Sequence, residues 1–446
     1  MIKTEKKRIL FISNHFSPSN IIGAIRPSKL VKHLSRKNYI IDVFCGYPKF
    51  ADKSNIIGVS SNIKIIYLGV DKSDKTSTHS YDITEKDTHI INYKGRSLIR
   101  KIIPYFIRKP LFYYKTLLHN QIFVNNFIKT INSPEYSSKD YDFIISSSGP
   151  ISSFLSGIEA KKKFPNAHWI NDFRDPVVSP FIPIILRGKY RRLQNKSLLL
   201  ADTITAVSNG YKKTICTKKT FYNKCKVIYN GYDNEDFPPV SDNFVSDKLV
   251  FTYLGSLYSG KRKLGPLFKA LKALINSGDI DADKISLNYA GTEFSILEKE
   301  AEQFGCHSIL KNLGKLNRTE SLKVQRESHF LLLSTWNNKN YYGVVPGKFL
   351  EYMSQDRPII SIVTGNMANS EIKEMTKIGN LGCVYEEKND MEDFINLKNY
   401  ILKQYKSFIE HNMVVFSPNV DYVKSFEYKN ITKQFEEIME SSWKKN

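Results

Sequence analysis

Short runs of apolar residues, each too brief for a buried helix, recur along this chain with helical patterns between them. Such runs read as strands buried on both faces, and strands joined through helices lie parallel. In the first half they fall at residues 8–13, 39–45, 63–68, 141–146, 168–173, 203–207 and 226–229. After a polar, turn-rich stretch over 230–247 that contains Pro238-Pro239, the pattern restarts at 249–254, 285–290, 309–313, 330–334 and 358–363. The stretch reads as a linker. The expected fold is α/β: two Rossmann-like doubly wound domains, 1–240 and 248–422, facing a central cleft. A helical tail, 423–446, is expected to cross back onto the first domain. Arg26-Pro27-Ser28 opens a helix to Lys37, with Pro27 suited to its first turn. Ligands of open α/β sheets bind beyond the carboxyl ends of strands, which directs attention to the loops there.

One such loop follows the run 330–334. It reads Tyr342-Gly343-Val344-Val345-Pro346-Gly347-Lys348-Phe349-Leu350-Glu351-Tyr352 and leads into a helical pattern. A Gly-rich loop opening a helix at Gly347 offers backbone N–H groups to a phosphate, and Lys348 adds a charge. Glu351, one helical turn on, can accept hydrogen bonds from ribose hydroxyls. The alternative is an ordinary glycine-containing turn before a helix.

At 446 residues two domains are expected, and 41% hydrophobic residues suffice for two cores. Cys45, Cys216, Cys225, Cys306 and Cys383 are scattered without a CxxC pair, which fits neither a zinc site nor a disulfide framework and suits a reducing cytosol. No metal is expected. Residues 1–7 are charged and run straight into a strand, unlike a signal peptide, and no apolar run spans a bilayer. The net charge of +22 favours polyanions, or reflects a lysine-rich solvated surface. No nucleic-acid motif accompanies it. Between Arg96 and Lys115 cations alternate with Tyr and Phe, and no acidic residue intervenes. That mixture suits an anionic membrane surface, or a helix pair with buried rings; Pro104 and Pro110 are expected to break it into short pieces.

Six segments in order resemble the GT-B glycosyltransferases of the family 4 type, also called group 1, known from bacterial polysaccharide synthesis. They are Ile9–Ile12 with Gly23-Ala24-Ile25-Arg26-Pro27; Trp169-Ile170-Asn171-Asp172-Phe173-Arg174-Asp175-Pro176; Ala201-Asp202 with Val207-Ser208; Ile228-Tyr229-Asn230-Gly231-Tyr232-Asp233; Tyr253-Leu254-Gly255-Ser256 through Gly260-Lys261-Arg262; and Val345 through Tyr352. The resemblance implies transfer of a sugar from a nucleotide-diphosphate donor, UDP-linked by preference, to an acceptor hydroxyl. It implies retention and no bound metal or other cofactor, the nucleotide sugar being a co-substrate. It further implies an acceptor that is a glycan or polyprenyl-linked, such as a lipid-linked glycan of surface polysaccharide synthesis, met in the cytoplasm at the inner face of the membrane. A nucleotide-sugar 2-epimerase of the same fold, and a non-enzymatic anion or membrane binder, are the alternatives.

On this resemblance Gly23, Gly255, Lys261, Arg262, Gly347, Lys348 and Glu351 bind the donor. Lys261 and Arg262 also neutralise the departing diphosphate. Asn14, His15 and Arg26 fall on the acceptor side. Asp172, Arg174 and Asp175, beyond the run 168–173, are the catalytic candidates: a carboxylate can orient or deprotonate the acceptor, and Arg174 can hold an acceptor phosphate. A buried Asp–Arg–Asp network that only shapes the loop is equally open. Two departures stand out. Gly343 occupies the place of the family motif's first glutamate, and Ser147-Ser148-Gly149 stands where many members carry a histidine.

Overall fold

A computed structural model describes residues 6–19, 21–48, 60–68, 98–180, 182–237 and 244–443, without the side chains of 98–110 and 443. The chain forms two compact units, one of Met1–Tyr229 with Tyr428–Asn446, the other of Asn230–Glu427. The first holds β1 (Lys7–Ser13), β2 (Tyr39–Gly46), β3 (Ile63–Leu68), β4 (Phe143–Ser148), β5 (His168–Phe173), β6 (Thr203–Ala206) and β7 (Cys225–Val227). They make one parallel sheet in the order β3-β2-β1-β4-β5-β6-β7. The order reverses between β1 and β4, which opens a crevice at their carboxyl ends.

The helix Tyr428–Trp443 belongs to this first unit. Its Tyr428, Ile431, Phe435, Ile438 and Met439 lie one to two turns apart and join Ile9, Phe11, Leu30 and Leu34 in one core. Each such buried side chain contributes about 1.5–3 kcal/mol.

The second unit repeats the scheme with β8 (Leu249–Leu254), β9 (Ile285–Ala290), β10 (Leu310–Gly314), β11 (Phe330–Trp336), β12 (Ile359–Thr364) and β13 (Gly382–Glu386). The order is β10-β9-β8-β11-β12-β13, all parallel, with the reversal between β8 and β11. Tyr232 ties the segments where the chain enters and leaves this unit: its N–H donates to the Phe426 carbonyl at 3.1 Å and its hydroxyl to that of Val423 at 3.2 Å.

Four expectations need correction. The first helix is Ile22–Ser35, with Pro27 in its interior. Its opening turn is held by the side chain of Arg26, described below, so the bond lost at Pro27 does not end it. Pro104 and Pro110 do not break their segment either; one helix runs Leu98–Ile131. Propagation is easy once a long helix is anchored, and Tyr113, Leu117, Val124, Phe127 and Ile131 anchor this one by burial. Arg96 lies outside the described residues, as do the side chains of 98–110, while Tyr114 and Lys115 are exposed. The tail is two helices, Val420–Lys424 and Tyr428–Trp443, rather than one. The strand β13, with the helices Glu371–Gly379 and Asp390–His411 around it, adds to the second sheet beyond the runs read from sequence. Among the described residues no helix is long and apolar enough to cross a membrane.

Candidate functional site

Each sheet gathers chemistry-bearing residues at its point of reversal. In the first, β1 ends at Ser13 and passes into Asn14 and His15. The Asn14 N–H donates to Ser153 Oγ at 3.1 Å and its Nδ2 to Ser152 Oγ at 2.8 Å, which ties the loop to the start of the helix Ser152–Lys163. On the far side of β4, β5 ends in Asp172-Phe173, followed by Arg174.

Asp172 is fully buried, and each of its oxygens accepts two bonds. Arg26 supplies a fork, Nε at 3.0 Å and Nη2 at 2.8 Å; Ser147 Oγ adds one at 2.8 Å and Thr205 Oγ1 one at 2.7 Å. Burial alone raises this carboxyl's pKa, but the Arg26 charge and these donors outweigh it and hold the group below the usual carboxylate range. Arg26 also donates from Nη1 to the Tyr229 carbonyl at 2.6 Å and from Nη2 to that of Ile228 at 3.0 Å. Its guanidinium lies 5.6 Å from the Phe435 ring centroid. The pair is thus an internal strut between helix, sheet and tail. A carboxylate so filled has no lone pair left for an acceptor proton.

The Asp–Arg–Asp network, one of the two readings left open, is therefore not made: Asp172 pairs with Arg26. Arg174 is 8% exposed, and its Nε and Nη2 are buried without a hydrogen-bond partner. Burial lowers its pKa, Asp175 and Asp172 act against this, and Arg26 adds to it. Asp175 is exposed. Two glycines make room for the guanidinium: a Cβ on Gly149 would stand 2.4 Å from Nη2, and one on Gly23 3.2 Å from Nη1 and 3.2 Å from His15 Cδ2. The structure brings Gly23, His15 and Arg174 together.

In the second unit β8 ends at Leu254, and Gly255 turns the chain with φ +113°. Tyr258, Ser259 and Gly260 follow with φ of 51°, 54° and 85°, a left-handed run that two of these side chains disfavour. Glu293 holds it. Its carboxylate accepts from Ser256 Oγ at 2.6 Å, from Leu257 N at 2.7 Å and from Ser259 N at 2.8 Å. Burial raises the Glu293 pKa, yet these donors bring it below the ordinary value. The loop then aims Arg262 across Tyr258, 4.1 Å from its ring centroid, and Trp336, 5.6 Å away; the Arg262 Nε is buried and unpartnered. Lys261 is exposed.

Lys348 comes to the same place. Its Cε and Nζ lie 3.3 Å from where a Cβ on Gly255 would stand, and no described residue pairs with its ammonium. Burial pushes its pKa down to about 8; Glu351 pulls upward, and Arg318 and Arg262 push further down. Glu351 is fixed by Gln325 Nε2, which donates to Oε1 at 2.7 Å, and by an ion pair with Arg318. Gly347 is exposed with open space around its Cα, but the helix it opens, Gly347–Met353, is a short one. Gly343 has φ +74°, a backbone that the motif's usual glutamate would strain.

Sequence reasoning passed over Glu293, Arg318, Gln325, Tyr258 and Trp336. Arg318 opens a helix whose capping box, Asn317 with Glu320, is legible in the sequence. Its reach to Glu351 is not.

No protein-family model matches the chain, and no curated protein matches it by sequence. Solved structures do. A sucrose-phosphate synthase from Thermosynechococcus elongatus superposes with a TM-score of 0.61 at 14% identity, over 99% of this chain and 100% of that one. Anabaena HepE in complex with UDP gives 0.58 at 13%, over 98% and 100%. The lipopolysaccharide outer core galactosyltransferase WaaB gives 0.56 at 16%, over 98% and 99%. HepE is also known with UDP-glucose. A protein described as a UDP-N-acetylglucosamine 2-epimerase, from Listeria monocytogenes, shares the architecture at 0.54 and 11%. This chain has the two-domain, Rossmann-like GT-B fold.

Proposed function

We propose that this chain is a glycosyltransferase that takes a sugar from a UDP-sugar and transfers it to an acceptor hydroxyl. One observation carries the reading: an unpaired, partly buried Lys348 ammonium is held against the Gly255 backbone, with Arg262 beside it, at the reversal of the second sheet. The fold neighbours that hold UDP and UDP-glucose support it. In the reaction the bond between the sugar's anomeric carbon and the diphosphate breaks, and its electron pair leaves with the diphosphate. The acceptor oxygen forms the new bond. With retention, the acceptor proton passes to the departing phosphate oxygen, so no strong base is required. Lys348 and Arg262 offset the growing negative charge, and Glu351, held by Gln325 and Arg318, takes the ribose hydroxyls.

Calorimetric titration with UDP, ADP and GDP tests the donor site. UDP is expected to bind, and Lys348→Ala to weaken it about 10- to 100-fold through loss of a charge-assisted contact. Native chain that binds no nucleotide, or a Lys348→Ala variant that binds as tightly, defeats the reading. A 2-epimerase would convert its nucleotide sugar with no acceptor present, so product analysis of the donor alone separates the two. We further propose that the acceptor is a polyprenyl-linked glycan met at an anionic membrane surface, with residues 96–115 at the contact. Flotation with liposomes should then need anionic lipid and weaken with salt; indifference to both refutes the membrane contact.

A further inference from the structure

Among the described residues no carboxylate forms an ion pair or hydrogen bond with the buried Arg174 guanidinium. Of the three charges buried around the end of β5, Arg26 and Asp172 cancel, and Arg174 remains. Its Nε and Nη2 meet no acceptor, and neither does the buried Ser148 Oγ on the adjacent strand end, where the Arg174 N–H bonds the Ser148 carbonyl at 3.0 Å. Asp175 acts on it only through space. Leaving a guanidinium's donors empty in the interior is costly, and an apolar residue would be more stable there.

Two helix N-termini add positive ends nearby. The helices Ile22–Ser35 and Ser152–Lys163 both begin at this edge of the sheet; neither has a side-chain cap at its N-cap residue or an acidic residue in its first turn. Asn120 Oδ1 takes the Ser152 N–H at 2.9 Å, so the second of these ends is partly satisfied. Gly23 and Gly149 keep the guanidinium clear of side chains. Around the same edge, the first turns of the helices that follow β1 and β5 expose Ile22, Ile25, Ile184 and Ile185, at 83%, 49%, 77% and 73%.

We propose that Arg174 anchors a phosphate group carried by the acceptor, with Ser148 Oγ as a second donor. The substrate class is thus a phosphorylated acceptor. The shared chemistry is the phosphate; the exposed isoleucines suit a lipid phosphate, and a water-soluble sugar phosphate would present the same group. This rests on the reading of the first unit as the acceptor-binding one. The fork of Arg174 matches two phosphate oxygens in a way that a lysine cannot.

The test is calorimetric titration of the full chain, saturated with UDP so that the donor site is filled. Inorganic phosphate, glucose 6-phosphate and farnesyl phosphate are the probes. At least one is expected to bind, and Arg174→Gln to weaken it about 10- to 100-fold. Tighter binding of farnesyl phosphate than of the other two assigns a lipid source; tighter binding of glucose 6-phosphate assigns a soluble one. No binding of any probe, or equal binding by Arg174→Gln, overturns the proposal. Should that variant not fold, Arg174→Lys, which keeps the charge and loses the fork, carries the same comparison. UDP binding is measured separately: its absence counts against the donor reading, whereas intact UDP binding with unchanged phosphate binding counts against Arg174 alone.

Discussion

The two sheets reverse direction in the same way and press a cation against glycine at the reversal, yet they hold it by different means. In the first unit Arg174 lies deep beside a fixed, charged strut of Asp172 and Arg26. In the second, Lys348 lies shallower, beside a loop whose unfavourable backbone is clamped by one carboxylate, Glu293. The guanidinium is charged at every working pH, while burial pushes the ammonium's pKa down to about 8. One site is therefore built for constant charge and rigid geometry. The other holds a charge that the solution pH can change.

Four measurements press on that contrast. The largest effect is expected from Asp172→Ala, which strands the buried Arg26 and should cost about 3–5 kcal/mol of stability. Urea unfolding followed in each unit should show the loss in the first unit only; a uniform loss would mean that the strut is not local to it. Next, Glu293→Ala releases Tyr258 and Ser259 from a backbone that costs about 1–2 kcal/mol per residue. UDP affinity should fall about tenfold while the first unit's unfolding is unchanged.

The third concerns pH. The Lys348 pKa is depressed, so the ammonium is charged below about 8 and loses its proton as pH rises through that value. A bound diphosphate favours the charged form, so UDP affinity should be full below about 8 and fall above it, by at most about tenfold per pH unit, with proton uptake on binding. Lys348→Arg should flatten the profile; a flat profile in the native chain would remove Lys348 from the site. For stability the sign is opposite: between about 8 and the ordinary lysine range the unfolded chain holds the extra proton, so this group makes folding more favourable as pH rises. The smallest effect is expected of Gly343→Ala, about 1 kcal/mol of destabilisation from its left-handed backbone, read by thermal unfolding of the second unit.

The strands were legible because a buried parallel strand leaves a local trace: Ile9 to Ile12 or Phe330 to Leu333 need no partner to be recognised as apolar runs. The strand β13 left less, being five residues that begin at Gly382 with φ +136°. Pro104 and Pro110 misled for the converse reason: local propensity forbids what a long anchored helix tolerates. Of the candidate site, Lys348, Glu351 and Arg174 could be chosen from their positions after strands. Their partners could not. Asp172 lies two residues from Arg174 yet pairs with Arg26, 146 residues away, and Glu351 is held from Arg318, 33 away. Which cation takes which carboxylate is decided by the packed sheet, and that choice separates the Arg26–Asp172 strut from the unpartnered Arg174 donors.

The return of Tyr428–Trp443 to the first core has a consequence for synthesis. The second unit is one continuous stretch, Asn230–Glu427, and can close as soon as it emerges. The first cannot: the apolar face of the helix Ile22–Ser35 stays bare until Phe435 and Met439 arrive. At ribosome speeds the stretch from Ser35 to Phe435 takes roughly 20–80 s to make. Until then the core of the first unit lies open while the second unit is being made, which makes that earlier-made core the natural client of a chaperone.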